Sequence, residues 1–303
     1  MAVISIITAT RNYARFLPEA IDSVLAQTFR DWELIVIDDG STDETPSVVA
    51  SYLKDNRIRY VRSDRLGQSR AKNLGISLSC GEYVAFLDGD DIWEANKLER
   101  QLPKFTETVK VVFSRRSVVD GTGQPITGRR EDVLLRGQLL NEIFIQNFIC
   151  FSSVVVRRSL FDEVGRFDEG LDLAIDYDFW LRAAHHTEFD YVDERLVRYR
   201  TGHGNLSQRV ADRVATACTI MESARRRGSL MPSTVAEGYA STLRTLGYIV
   251  RRSDPMESMR CYSRALRWPH QRLMTLRGLL AAFYHHLFSP RLPGCAENAV
   301  ENR

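Results

Sequence analysis

Leu34-Ile35-Val36-Ile37-Asp38-Asp39-Gly40-Ser41-Thr42-Asp43 and Tyr83-Val84-Ala85-Phe86-Leu87-Asp88-Gly89-Asp90-Asp91 are built alike. Each is a short apolar run that ends in a cluster of carboxylates. Runs of this length, rich in β-branched and aromatic residues and bounded by Gly and Asp, read as buried strands. In an open parallel sheet, ligands bind just beyond the carboxyl ends of the strands. Carboxylates at that place are poorly explained as core, and solubility does not need them at strand tips. The two clusters read as groups gathered to hold a nucleotide and a hard metal ion.

The surrounding sequence supplies the rest of such a sheet. Residues 3–8 make a first strand. Tyr13, Phe16, Leu17, Ala20, Ile21, Val24 and Leu25 then follow helical spacing, with Pro18 near the helix start, where its missing N–H is harmless. The strand at 33–37 leads into a helix opened by Thr42-Asp43-Glu44 and running to about Leu53. Ile58-Arg59-Tyr60-Val61 is a short third strand, and Gly67-Gln68-Ser69 leads into a helix carrying Ala71, Leu74, Gly75 and Leu78. With the strand at 83–87, this alternation predicts a doubly wound, mostly parallel α/β sheet of the Rossmann-like kind.

After Asp91 the pattern changes. Trp93 to Phe105 reads as helix, Val109 to Ser117 and Ser153 to Arg157 as strands, and Asp120 to Pro125 as a turn. Leu160–Val164 and Tyr177–Ala184 read as helices, and 189–199 as another strand. From about residue 209 the chain is helical in pattern, interrupted at Pro232, Pro255, Pro269 and Pro290. The expected organisation is a catalytic domain at 1–208, with a nucleotide-binding half (1–91) and an acceptor half (92–208). A helical region then covers 209–303.

Charge sharpens that division. Residues 209–303 hold fifteen arginines and seven acidic residues, so the net charge of +2 conceals a basic C-terminal third and an acidic remainder. The run Leu279-Leu280-Ala281-Ala282-Phe283-Tyr284, followed by Leu287-Phe288, suits an amphipathic helix lying on a membrane surface, or one packed onto the rest of the protein. No recognisable DNA- or RNA-binding motif accompanies the basic residues, so nucleic acid is not an expected partner. The five cysteines are scattered without a C-x-x-C pair, which disfavours structural zinc and a disulfide framework and suits a cytoplasmic protein. Ala2 to Thr8 lacks a basic n-region, and no stretch reaches the apolar length of a membrane span. The excess of arginine over lysine points to a GC-rich bacterial genome.

Taken in order, Ser23 to Phe29, Trp32 to Asp43, Ala71-Lys72-Asn73-Leu74-Gly75 and Phe86-Leu87-Asp88-Gly89-Asp90-Asp91-Ile92-Trp93 resemble the family 2 glycosyltransferases, from Val3 to about Ser207. The resemblance implies the GT-A fold and inverting, metal-dependent transfer of a sugar from a nucleotide-sugar donor to a hydroxyl acceptor. It implies that Asp39 contacts the base, that Asp88 lies near the ribose, and that Asp90 binds Mg²⁺ or Mn²⁺. Thr8, Ala9 and Arg11 should line the nucleotide pocket, with Arg70 and Asn73 near the donor. A UDP- or dTDP-sugar is favoured, because the N3–H of either base can donate to a carboxylate.

Asp176 matches the family's general base, ahead of the aromatic Tyr177. The first member of the usual acidic pair is here Ile175, a departure from the pattern. His203, between two glycines, matches a histidine on a mobile loop over the diphosphate or metal. Asp38, Asp43 and Asp91 read as a turn residue, a helix cap and a supporting group. The expected acceptor is a glycan or lipid-linked glycan in bacterial surface polysaccharide synthesis, with peripheral contact at the inner face of the membrane. Two other readings are a nucleotidyltransferase of similar fold and a non-catalytic sugar-nucleotide-binding scaffold. The loop Thr8 to Tyr13, which contains no glycine, argues against the first.

Overall fold

Strands β1 (Ile4–Thr10), β2 (Trp32–Asp39), β3 (Ile58–Ser63) and β4 (Tyr83–Phe86) alternate with helices α1 (Leu17–Leu25), α2 (Thr45–Ala50) and α3 (Gln68–Leu78). These come from a computed structural model that describes residues 2–128, 133–204, 210–269 and 271–288. There follow β5 (Ile92–Trp93), α4 (Lys97–Gln101), β6 (Val109–Val119), α5 (Leu140–Ile145), β7 (Val155–Arg157), α6 (Ser159–Val164), α7 (Ile175–Ala183), β8 (Glu188–Arg200) and α8 (Val210–Arg227). One eight-stranded sheet results, in the order β3-β2-β1-β4-β7-β6-β8-β5. Its β3-β2-β1-β4 half is parallel throughout. The other half is mixed: β7 runs antiparallel to both β4 and β6, β8 runs parallel to β6, and β5 antiparallel to β8.

The parallel half is laid down by its apolar runs. Every residue of β2 is buried, as expected for a central parallel strand covered on both faces. One face packs under Leu17, Ala20, Ile21 and Val24 of α1. On the other, Ile35 and Ile37 meet Ala71 of α3. A Cβ on Gly75 of α3 would lie 2.5 Å from Ile7 Cγ2, so glycine there lets α3 sit close on β1.

Two sequence expectations change. Trp93 to Phe105 is not one helix. Ile92 and Trp93 pair with Arg198 and Val197, and the buried Trp93 ring donates from Nε1 to the Ser152 carbonyl at 2.8 Å. Helix α4 begins only at Lys97, and a 3-10 turn over Leu102–Lys104 follows it, with Pro103 inside. The helix expected from Thr42 starts at Thr45 instead. The Asp43 carboxylate takes the backbone N–H groups of Thr45 and Ala14, tying this loop to the one after β1. The helical part of the chain begins with α8 at Val210. The chain forms two compact units, Met1–Met231 and Pro232–Arg303. α8 belongs to the first because it packs on α7, and Arg227 donates to Asp178 Oδ1 at 3.2 Å.

The second unit comprises α9 (Pro232–Val250), α10 (Pro255–Ala265) and α11 (Arg272–Phe288). Pro232 and Pro255 sit in the first turns of their helices, and Asp254 caps α10 by accepting from Glu257 N at 2.9 Å. Tyr262 of α10 fills the space over two glycines. A Cβ at Gly247 of α9 would come within 2.9 Å of its ring, and one at Gly278 of α11 within 2.2 Å. Pro290 lies outside the described residues.

Candidate functional site

The strand order reverses beside β1, whose neighbours are β2 on one side and β4 on the other. A cleft of about 530 Å³ opens there, beyond the carboxyl ends of these strands. Ala9 to Tyr13 follow from β1, Asp39 ends β2, and Gly67, Gln68, Ala71 and Lys72 come from the start of α3. Asp88, Gly89 and Asp90 follow β4, and Asp172, Tyr199 and Gly204 complete the lining. The structure thus gathers Ala9, Arg11, Asp39, Asp88 and Asp90 in one place.

Asp39 is anchored before any ligand arrives. Its Oδ1 accepts from Ser63 Oγ and Leu66 N, and its Oδ2 from Gly67 N at 2.9 Å. A carboxylate has about four acceptor positions, so Oδ2 keeps room for one more donor. Arg11 Nε is buried without a hydrogen-bond partner.

The acid loop after β4 is held from the mixed half of the sheet. Ser152 Oγ accepts from Asp88 N at 3.1 Å and donates to Asp91 Oδ2. Arg200, the last residue of β8, is 1% exposed. Its backbone N donates to Asp91 Oδ1 and its Nε to the Asp90 carbonyl, both at 2.9 Å. Its outer guanidinium nitrogen reaches Glu19 Oε2 at 3.0 Å. A Cβ at Gly89 would stand 3.0 Å from Thr10 Oγ1, so a side chain there would press on the end of β1.

Three carboxylates so close together are short of positive charge. Lys72 Nζ lies 3.0 Å from Asp88 Oδ1. Burial drives the Asp90 carboxyl upward from its ordinary range; His203 opposes that shift and Asp88 adds to it. Burial pushes Asp91 well above the usual carboxylate range, and the charges of Asp90 and Asp88 push the same way. The Tyr13 phenol is also raised, by burial first and then by the same acids.

His203 Nε2 stands 2.9 Å from Asp90 Oδ2. It is buried and makes no aligned hydrogen bond, while Tyr13 and Phe16 hold the imidazole ring at centroid distances of 5.8 and 4.6 Å. An imidazole nitrogen converging with a carboxylate oxygen fits a divalent cation between them. Among the described residues no three His, Cys, Asp or Glu side chains converge as a metal cage. Two protein ligands suit a cation that shares its remaining positions with water and a substrate's phosphates.

Asp176 is the second residue of α7, two positions after Ala174 in the left-handed region (φ 54°), and its Oδ2 accepts from Asn147 Nδ2 at 2.7 Å. Ile175, which stands in place of the usual carboxylate, is buried. Asp176 is not part of the cleft lining. Neither is Thr8, whose side chain is buried within the sheet, nor Arg70, which is exposed and points to Glu169 at 3.3 Å. Asn73 is a structural tie: it exchanges hydrogen bonds with the Phe167 backbone at 2.9 and 3.0 Å. Lys72, Arg200 and Asn147 had no predicted role. Lys72 alone carries a sequence signal, as a lysine on the face of α3 that also holds Ala71, Gly75 and Ile76.

The sequence profile described as Glycosyl transferase family 2 matches residues 5–165. The chain belongs to that family. A relative, an uncharacterized glycosyltransferase of Rickettsia conorii, is 34% identical over 203 residues, covering 66% of this chain and 33% of its own. Another, from Nostoc sp., is 35% identical over 173 residues, 54% of each chain. The chain spans about a third of the length of the first curated relatives it matches. Among solved structures, residues 1–349 of S. aureus TarS in complex with UDP-GlcNAc align with a TM-score of 0.69 at 18% identity, covering 95% of this chain and 92% of that one. The Pyrobaculum calidifontis mannosyltransferase PcManGT, in complex with GDP-Man and Mn²⁺, gives 0.62 at 18% identity, over 94% and 87%. The fold is the GT-A fold of these glycosyltransferases.

Proposed function

We propose that this family 2 protein transfers a sugar from a pyrimidine nucleotide-sugar, a UDP- or dTDP-sugar, to an acceptor hydroxyl with inversion at the anomeric carbon. The observation that carries the reading is the meeting of Asp90 Oδ2 with His203 Nε2, 2.9 Å apart in a buried, acid-rich cleft. Asp90 and His203 would hold Mg²⁺ or Mn²⁺, which supplies positive charge to the departing diphosphate. The remaining acceptor position on Asp39 suits the N3–H of uracil or thymine. Asp88, steadied by Lys72, is assigned to the ribose hydroxyls. Ala9 and Arg11 complete the nucleotide side of the cleft.

Asp176 takes the proton of the acceptor hydroxyl as that oxygen attacks the anomeric carbon. The bond between that carbon and the diphosphate oxygen breaks, and its electron pair leaves with the nucleoside diphosphate. Asn147 steadies Asp176 through its hydrogen bond to Oδ2. The acceptor we infer is a glycan end, free or lipid-linked, in bacterial surface polysaccharide synthesis. Support for this context is analogy to bacterial relatives.

A panel of sugar nucleotides, assayed for release of nucleoside diphosphate with and without Mn²⁺ and with added glycans, tests the reading. Release from a UDP- or dTDP-sugar that stops in excess chelator is the expected result. Full activity in excess chelator overturns the metal assignment, and preference for a purine nucleotide overturns the donor.

A further inference from the structure

Helix α11 is built inside out. Its inward face is small: Thr275 and Ala282 are fully buried, and Gly278 lies under the Tyr262 ring. Its large apolar side chains face away. Leu273 and Leu280 are 66% and 67% exposed, and Leu276, Phe283 and Leu287 are exposed with them. A helix that stabilised only its own unit would bury these and expose the small ones. At 3.6 residues per turn the five side chains fall within an arc of about 80°. The outward face is thus one continuous apolar stripe.

The charge around the stripe indicates what covers it. Arg272 borders it on one side and Arg277 on the other, both exposed. The 17-residue helix contains no acidic residue. If two copies paired in parallel along this stripe, arginine flanks would meet arginine flanks, which is repulsive, and in antiparallel pairing the helix would offer its partner's arginines no acidic side chain. An anionic lipid surface satisfies both elements at once: the apolar stripe enters the headgroup boundary while the arginines snorkel to phosphates. No helix among the described residues is long and apolar enough to cross a membrane, so this helix would lie along the surface.

We propose that α11 is a docking surface for an anionic membrane, formed by Leu273, Leu276, Leu280, Phe283 and Leu287 between Arg272 and Arg277. The inference is independent of the reading of the cleft. The test is co-sedimentation of the full chain with phosphatidylcholine vesicles, pure or containing about 30% phosphatidylglycerol. Both variants below change exposed side chains, and circular dichroism checks that they remain folded. The full chain should partition onto the anionic vesicles only, and less so as salt rises. The double variant Leu280→Ser/Phe283→Ser should lose at least about tenfold in partitioning. The double variant Arg272→Gln/Arg277→Gln should lose about fivefold per arginine.

Equal indifference to both vesicles overturns the proposal, as does wild-type binding by the serine variant. Sedimentation velocity without lipid gives a third way to fail. A dimer that becomes a monomer in the serine variant would assign the stripe to a second copy of the chain.

Discussion

The two halves of the sheet do different kinds of work. In the β3-β2-β1-β4 half, candidate groups sit where strands end: Ala9 and Arg11 at β1, Asp39 at β2, Asp88 and Asp90 just past β4. Their positions follow directly from strand order. In the mixed half only β8 contributes from its tip, through Tyr199 and Arg200, and the other groups come from a helix and loops. Asp176 stands in the first turn of a helix, His203 rides a loop between glycines, and Ser152 and Arg200 reach across to hold acids they do not neighbour in sequence. The parallel half gathers binding groups, while the mixed half positions them and contributes the proposed base. A parallel sheet fixes a ligand site by topology alone, whereas a mixed one needs individual side-chain ties.

This contrast can be broken by substitution. The largest effect is expected for Asp90→Ala. Transfer should be lost with the fold intact, and calorimetry should find Mn²⁺-dependent binding of nucleoside diphosphate gone as well. Retained Mn²⁺-dependent binding would move the metal away from Asp90. Next comes Asp176→Asn, which should lower turnover about 10²–10⁴-fold while donor affinity stays at the wild-type value. Equal losses in affinity and turnover would erase the division between halves.

Asp39→Ala should act in the opposite sense. One lost hydrogen bond to a charged acceptor weakens UDP binding about tenfold to a hundredfold, with maximal turnover less affected. Unchanged UDP affinity would remove Asp39 from base recognition. The smallest effect is expected for Asn147→Ala. Losing one neutral donor from Asp176 should cost about fivefold in turnover with donor affinity unchanged. If donor affinity falls instead, Asn147 belongs to the binding half.

The same contrast explains what could be read from the chain. The strands β1 to β4 were legible because each is a short apolar run with turn residues at its ends. The strand-tip acids were legible because nothing structural required them. Asp176 and His203 came only through family resemblance. Trp93 was misread as helical because its strand partner, Val197, lies a hundred residues away, and local periodicity carries no trace of that pairing. The tie of α8 to α7 is hidden for the same reason: α8 reads as an ordinary helix until Arg227 meets Asp178. Asn147 gave no signal at all, since a lone asparagine beside apolar residues says nothing of the carboxylate it will face. Lys72 did give one, because a lysine on a buried helix face needs a partner, here Asp88.

The Tyr262 ring, seated over Gly247 and Gly278, also constrains how this sequence can evolve. Alanine at position 278 would be lethal to the packing alone but harmless once position 262 has become small. The two sites are therefore locked in a fixed mutational order, shrinking first at 262 and enlarging afterwards at 278. An alignment of close relatives that share this hairpin should contain the small–small intermediate and never the large–large pair.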